Sequence, residues 1–197
     1  MAEKIDTLLK EGRVYQPSAQ TKAVAYIQDY ESAYKKSIAD PEGFWSDVAK
    51  ELEWFSPWTK VLEWDYPWAQ WFVGATCNIT YNCLDRHVKT WRRNKVAVIW
   101  VGENDQERVI TYGELYRQVN RCANALKKLG LTKGDRVTIY LPKVPEQIVA
   151  MLACARIGVI HSVVYSGFSA PALANRIQDA ESKLVITADV GFDRGKV

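Results

Sequence analysis

The sequence lacks the features that would assign it to a membrane, a secretory route or a nucleic acid. No apolar run reaches the roughly 18–20 residues that span a bilayer, and residues 1–13 lack the apolar core of a signal peptide. The formal net charge is +3, whereas a nucleic-acid-binding protein needs a concentrated basic surface. We therefore expect a cytoplasmic protein that has no membrane partner and no nucleic-acid partner.

Residues that bind metals are also scarce. The chain has four cysteines and two histidines, and no two cysteines are spaced as C-x-x-C. We therefore expect no metal site and interpret the cysteines as reduced thiols in the core of a cytosolic protein. Four common functional motifs are absent as well: G-x-x-x-x-G-K-[ST], G-x-G-x-x-G, G-x-S-x-G and H-E-x-x-H.

Tryptophan is abundant but unevenly distributed. All eight tryptophans lie at or before Trp100, and the following residues are rich in valine, isoleucine, leucine and alanine. This shift predicts a helical, aromatic covering region over residues 1–92 and the first part of an incomplete α/β domain over residues 93–197. In the first region we expect a helix over Thr21–Ile38, a second helix starting at Pro41, and an irregular segment over Trp54–Val73 that packs its indoles on another surface.

The second region predicts strands that alternate with helices. The first region should end with a short helix over Cys83–Trp91, and the second should begin with a hairpin formed by Val96–Val101 and Arg108–Tyr112. Thr111 and Glu114 fit a capping box, which opens a helix that ends at Gly130. The remaining predicted elements are the strands Arg136–Leu141, Val159–Val164 and Leu184–Thr187 and the helices Val144–Ile157 and Ala170–Glu181. This alternation is typical of an α/β fold with a mostly parallel sheet and helices on its faces.

Two loops follow predicted strands, at the sheet edge where such folds bind ligands. The first loop contains Tyr165, Ser166 and Gly167, whose small residues allow the backbone to approach a ligand. The second loop, over residues 188–196, places Arg194 and Lys196 on either side of a glycine, which suits a phosphate group. An ordinary turn explains the first loop equally well on the pattern alone.

Five stretches of the sequence closely resemble the amino end of acetyl-coenzyme A synthetases. They are Tyr66–Ala75 (YPWAQWFVGA), Asn82–His87 (NCLDRH), Val98–Trp100 (VIW), Ile110–Leu115 (ITYGEL) and Ala155–Val164 (ARIGVIHSVV). The second and fifth stretches are specific to the short-chain members, whereas TYGEL is shared across the adenylate-forming superfamily. The resemblance extends from about Tyr30 to Val197.

This resemblance implies a fold and a reaction. The chain would be the front part of the large domain of an AMP-forming acetate–CoA ligase. Such an enzyme converts acetate and ATP to acetyl-adenylate and pyrophosphate, and coenzyme A then displaces AMP to give acetyl-CoA. The implied cofactors are ATP, coenzyme A and Mg²⁺, and the Mg²⁺ site and the catalytic residues would lie outside these 197 residues.

The resemblance also implies residues for coenzyme A. Tyr165 would line the nucleotide end of the coenzyme, while Ser166 and Gly167 would allow close backbone approach. The second contact would be made by Arg194, Gly195, Lys196 and Val197, with the two cations paired to phosphates.

The sequence departs from the family pattern in both turns. The family commonly has Phe-Gly-Gly where this chain has Tyr165-Ser166-Gly167, and it often has arginine at the position of Asp193. Whether Asp193 or Arg194 takes the first basic position therefore stays open. Two other functions also stay open: a ligase for propionate or another short acid, and a non-catalytic module that binds a coenzyme or a partner.

Overall fold

The computed structural model describes Gly12 and residues 14–191, which form two units that divide between Glu51 and Leu52. The first unit is helical, with α1 (Ala19–Val24), α2 (Tyr30–Ala39) and α3 (Pro41–Ala49). The second unit contains all the strands of the described chain. A domain boundary between residues 92 and 93 stays a prediction.

The single helix predicted over Thr21–Ile38 is wrong. The chain becomes extended at Ala25 (φ −64°, ψ 136°), and a new helix begins after Asp29. The Asp29 carboxylate accepts a hydrogen bond from the Ser32 amide at 3.0 Å, which satisfies one of the free amides of the first turn. The break before Pro41 is confirmed, because the Asp40 carboxylate caps α3 by accepting from the Gly43 amide at 2.9 Å.

The tryptophan-rich segment is regular rather than irregular, which corrects the prediction. It forms an antiparallel hairpin of β1 (Lys60–Asp65) and β2 (Trp68–Val73). Phe72, Trp54 and Trp58 form a cluster in which each ring contacts the other two, with centroid distances of 5.2–5.4 Å. Trp64 and Trp68 remain 65% and 76% exposed, so only some of the indoles are buried by this unit.

A π-helical turn (Tyr81–Asp85), the short α4 (Arg86–Val88) and a 3₁₀ turn (Trp91–Asn94) replace the single helix predicted over Cys83–Trp91. The following hairpin is confirmed as β3 (Val96–Val101) and β4 (Glu107–Thr111). The capping box is confirmed too, since the Thr111 hydroxyl accepts from the Glu114 amide at 3.3 Å and the Glu114 carboxylate accepts from the Thr111 amide at 2.8 Å.

The helix opened by that box is α5 (Tyr112–Lys128), and it leads to the predicted parallel sheet. The sheet has the order β6-β5-β7, and all three strands are parallel. Its elements are β5 (Arg136–Tyr140), α6 (Pro145–Arg156), β6 (Ile160–Val163), α7 (Ala170–Asp179) and β7 (Leu184–Thr187). The strands and helices expected in this part of the chain are therefore confirmed, with ends that shift by one or two residues.

The core of the second unit lies on the central strand. Val137 and Ile139 of β5 are fully buried, and they share the core with Val119 of α5 and Cys154 of α6. Leu84 of the π-helical turn is fully buried in the same cluster. The central strand is thus the rigid element from which the neighbouring loops project.

The cysteines are free in the described chain, but most of them are not core residues. Cys154 is buried, Cys122 is partly buried, and Cys77 and Cys83 are exposed. Burial and, to a smaller extent, the nearby Cys122 raise the pKa of the Cys154 thiol to about 11. The expectation of four core thiols is therefore correct for Cys154 alone.

Candidate functional site

A cleft of about 270 Å³ lies at the carboxyl ends of β5 and β6, where an α/β sheet places its ligands. Four parts of the chain form its walls: the tip of the β3–β4 hairpin, the loop after β5, the turn after β6, and the loop after β7. Its lining residues are Trp100–Asn104, Gln106, Pro142–Val144, Tyr165, Ser166 and Val190. Two of the predicted site residues, Tyr165 and Ser166, therefore line this cleft.

The turn after β6 is closed by local contacts. The Phe168 amide donates to the Tyr165 carbonyl oxygen at 3.0 Å, which closes a four-residue turn. The Tyr165 and Phe168 rings meet edge to face, with centroids 5.8 Å apart. The Arg176 guanidinium of α7 lies 4.4 Å from the Phe168 ring centroid, so a cation–π contact also holds that ring.

Gly167 is required by the position of the Tyr165 ring. A Cβ atom at residue 167 would lie 2.5 Å from Cε1 of Tyr165, well inside van der Waals contact. The Tyr165 ring therefore occupies the space that a side chain at residue 167 would need. The ring stays half exposed at the cleft, where it offers a flat aromatic surface to a ligand.

The hairpin tip is fixed to the loop after β5. The Trp100 indole N–H donates to the Lys143 carbonyl oxygen at 2.7 Å. An Arg108–Glu146 ion pair, 2.7 Å between nitrogen and oxygen, joins β4 to the first turn of α6. Burial raises the pKa of the Glu146 carboxyl, but hydrogen bonds from Arg108 and from its own backbone amide outweigh it and leave that pKa below its ordinary value.

Sequence reasoning missed three residues of this site: Trp100, Tyr140 and Lys143. Tyr140 ends β5, and its hydroxyl donates to the Ser166 carbonyl oxygen at 2.7 Å. Lys143 is exposed and lines the cleft. A signal for Tyr140 and Lys143 was available, because both residues flank the carboxyl end of a predicted strand.

The second predicted loop is described only as far as Gly191. Val190 lines the cleft, and its amide donates to the Asp189 carboxylate at 2.9 Å. Arg194, Gly195, Lys196 and Val197, with Asp193, lie outside the described residues. The structure therefore brings the first predicted turn to the cleft, and contacts of the second loop stay a prediction.

A second polar cluster joins two of the stretches that carry the family resemblance. Arg156 and Asp85 form a two-pronged ion pair, with nitrogen–oxygen distances of 3.1 Å and 2.5 Å. The side-chain NH₂ group of Asn78 donates to the Ala155 carbonyl oxygen at 3.0 Å, and the Thr80 hydroxyl donates to the Leu152 carbonyl oxygen at 2.8 Å. These contacts satisfy carbonyls at the end of α6 and fix the π-helical turn against it. The cluster is therefore a structural junction.

Both histidines are partly buried side chains outside the cleft. The His87 ring lies 5.2 Å from the Tyr112 ring centroid, and His161 lies on β6 opposite Val137. Burial lowers the pKa of each imidazole, and nearby Arg86 lowers that of His87 further.

Within residues 12 and 14–191, no three histidine, cysteine, aspartate or glutamate side chains cluster as a metal site would require. None of the described helices is long and apolar enough to cross a bilayer.

Comparisons with known proteins identify the family. Residues 84–196 match the family model described as AMP-binding enzyme, and residues 30–83 match the model described as acetyl-coenzyme A synthetase N-terminus. The acetyl-coenzyme A synthetase of Deinococcus radiodurans is 52% identical over 196 residues, which cover 98% of this chain and 30% of that protein. The 3-hydroxypropionyl-coenzyme A synthetase of Sulfurisphaera tokodaii is 45% identical and covers 100% of this chain and 30% of its own length.

A solved structure agrees with these matches. The acetoacetyl-CoA synthetase from Streptomyces lividans has a TM-score of 0.84 and 32% identity, and it covers 92% of this chain and 31% of its own. The predicted α/β fold class is thereby confirmed. The chain belongs to the AMP-binding enzyme family. Within that family, its likeness is to the acetyl-coenzyme A synthetases and extends over nearly the whole chain, which spans about 30% of the length of these relatives.

Proposed function

We propose that this chain is the amino-terminal part of an AMP-forming acetate–CoA ligase. The complete enzyme joins acetate to ATP as acetyl-adenylate, releases pyrophosphate, and transfers the acetyl group to coenzyme A with release of AMP. The observation that carries the proposal is the 52% identity to an acetyl-coenzyme A synthetase over 98% of this chain. We place the enzyme in the cytoplasm and assign it small-molecule partners only.

In this proposal the described cleft receives the nucleotide end of coenzyme A. Tyr165 offers its half-exposed ring to the base, and the backbone at Ser166 and Gly167 permits close approach. The residues present fit such a group, because the turn presents a flat aromatic surface and backbone groups at a partly apolar cleft. Arg194 and Lys196 pair with the coenzyme phosphates, and Gly195 and Val197 belong to the same coenzyme contact.

The remaining chemistry lies in segments outside these 197 residues. ATP and Mg²⁺ belong there, together with the catalytic groups of both half-reactions. When bound, Mg²⁺ supplies positive charge to the phosphate oxygens of ATP, where negative charge builds up as acetyl-adenylate and pyrophosphate form. The part of the enzyme in hand therefore contributes to coenzyme binding and to the scaffold of the large domain.

Acetate-dependent exchange of pyrophosphate into ATP tests the proposal on the complete protein. We expect exchange with acetate, weaker exchange with longer acids, and thioester formation when coenzyme A is added. The 197-residue chain alone serves as the control and should give no exchange. Absence of exchange in the complete protein with every short acid, or exchange by the chain alone, would refute the assignment.

A second substrate remains a candidate because one relative bears another name. The relative from Sulfurisphaera tokodaii is named for 3-hydroxypropionate and is 45% identical to this chain. The same exchange assay with acetate, propionate and 3-hydroxypropionate decides between these acids through their kcat/KM values. Coenzyme binding by a complete protein that activates no acid would favour the third function, a non-catalytic binding module.

A further inference from the structure

We propose that Tyr140 is a positioning residue for coenzyme A, because its phenol holds the turn after β6 in the shape that receives the coenzyme. The inference rests on the proposed function, since that function makes the turn a coenzyme contact. Tyr140 itself does not need to contact the coenzyme. It acts through the backbone of Ser166 and through the ring of Tyr165.

The Tyr140 hydroxyl bridges the turn from one side. It donates to the Ser166 carbonyl oxygen at 2.7 Å and lies 3.2 Å from the Phe168 carbonyl oxygen. These two carbonyls flank Gly167, the residue over which the Tyr165 ring lies. One phenol therefore fixes the backbone on both sides of the position that sets the ring.

The element that carries this phenol is rigid. Tyr140 follows Ile139, which is fully buried in the core, and it pairs with Thr187 of β7. On the other side of β5, the Val164 amide donates to the Ile139 carbonyl oxygen at 2.9 Å, so the end of β6 is tied to the same strand. The hydrogen bond from this hydroxyl thus fixes the turn after β6 relative to the central strand β5.

The turn after β6 is also held by contacts that do not involve the Tyr140 phenol, so the phenol sets the position of the turn and is not needed for its folding. The edge-to-face contact of Tyr165 with Phe168 and the cation–π contact of Arg176 hold the aromatic side. Removal of the hydroxyl should let the backbone at Ser166 move while the turn stays folded. We therefore expect weaker coenzyme binding in a protein that keeps its fold and its adenylation step.

The test is Tyr140→Phe in the complete enzyme, measured in both half-reactions. Loss of one hydrogen bond predicts a KM for coenzyme A about fivefold higher, with kcat nearly unchanged. Acetate-dependent pyrophosphate exchange needs no coenzyme and should match the wild type. Pantetheine, which lacks the nucleotide, should be used as an acyl acceptor with the same kcat/KM by both proteins, because Tyr165 faces the nucleotide end.

Tyr81→Phe is the matched control. Its hydroxyl also makes a 2.8 Å hydrogen bond, accepted from Lys89, but it lies at the π-helical turn outside the cleft. The control should leave the KM for coenzyme A unchanged. Gly167→Ala is a second variant, because the added methyl displaces the Tyr165 ring directly and should reproduce the selective rise in KM.

The outcomes separate the inference from the function on which it rests. A wild-type enzyme without acid-dependent exchange overturns the proposed function. With normal exchange, a KM for coenzyme A that stays within twofold of the wild type in Tyr140→Phe overturns the positioning role. Equal losses with coenzyme A and pantetheine, or loss of exchange as well, also overturn it, since the phenol would then support the sheet as a whole.

Discussion

Removal of the Asp85 carboxylate should destabilise the junction between the π-helical turn and α6. Arg156 contacts that carboxylate with two nitrogens, at 3.1 Å and 2.5 Å, and its guanidinium lies 5.3 Å from the Tyr116 ring centroid. The side chains of Arg156 and Asp85 are only 20% and 15% exposed. Asp85→Ala therefore leaves a positive charge that water reaches poorly.

The expected loss of stability follows from this burial. A fully buried charge left without its partner destabilises a protein by about 3–5 kcal/mol, whereas an exposed pair contributes about 0–1 kcal/mol. The Asp85–Arg156 pair is mostly buried, so we expect a loss of about 2–3 kcal/mol. The Arg156 Nε atom is buried without a hydrogen-bond partner in the described chain, which makes a compensating contact within the folded unit harder to find.

Urea unfolding followed by tryptophan fluorescence measures this loss. A double-mutant cycle with Asp85→Ala, Arg156→Ala and both together isolates the pairwise coupling, which should be about 2 kcal/mol. The same cycle with Glu63→Ala and Lys60→Ala is the control, since that pair is 3.9 Å long and about half exposed. A coupling below about 0.5 kcal/mol, equal to that of the control pair, would refute the reasoning.

Three other predictions concern titration, thiol reactivity and helix capping. Hydrogen bonds from Lys183 and Thr132 lower the pKa of the Asp135 carboxyl from 3.8 to about 2, so its contribution to stability is present above pH 3.8 and is lost as pH falls toward 2. The melting temperature of Asp135→Asn should therefore fall less over that interval than that of the wild type. An equal fall in both proteins would contradict this. Exposed Cys77 and Cys83 should react with iodoacetamide at pH 8 well before Cys154, because Cys154 is buried and its thiol has a pKa of about 11. Peptide mass spectrometry measures the order of labelling. Early labelling of Cys154 would contradict its buried position. Thr111→Ala removes the N-cap of α5 and should lower the free energy of unfolding by about 1 kcal/mol, while Thr111→Ser should restore most of it.

Local patterns in the sequence predicted most of the second unit. The capping box at Thr111 and Glu114, the left-handed Gly130 and the alternating apolar strands each act within a few residues, so their effects are visible without a tertiary structure. The same locality explains the prediction of the Tyr165–Gly167 turn, because a turn directly after a parallel strand lies at the ligand-binding edge. The likeness to acetyl-coenzyme A synthetases was likewise readable from short stretches of the chain.

Local patterns failed where two competing arrangements had similar sequence signals. The apolar spacing over Thr21–Ile38 suits one long helix, yet the carboxylate of Asp29 caps a second helix and the chain breaks before it. The tryptophans of β1 and β2 follow no single period for long, and their pairing becomes clear only when the two strands lie side by side.

The sequence by itself determined the α/β class, the order of strands and helices from β3 onward, and the family likeness, because these depend on patterns among residues close along the chain. The tertiary structure alone decided which distant side chains meet. The Tyr140 phenol at the Ser166 carbonyl, the Trp100 indole at Lys143, and Arg156 at Asp85 join residues that are 26, 43 and 71 positions apart. No local propensity encodes such pairs, since they form only when the sheet has fixed both backbones.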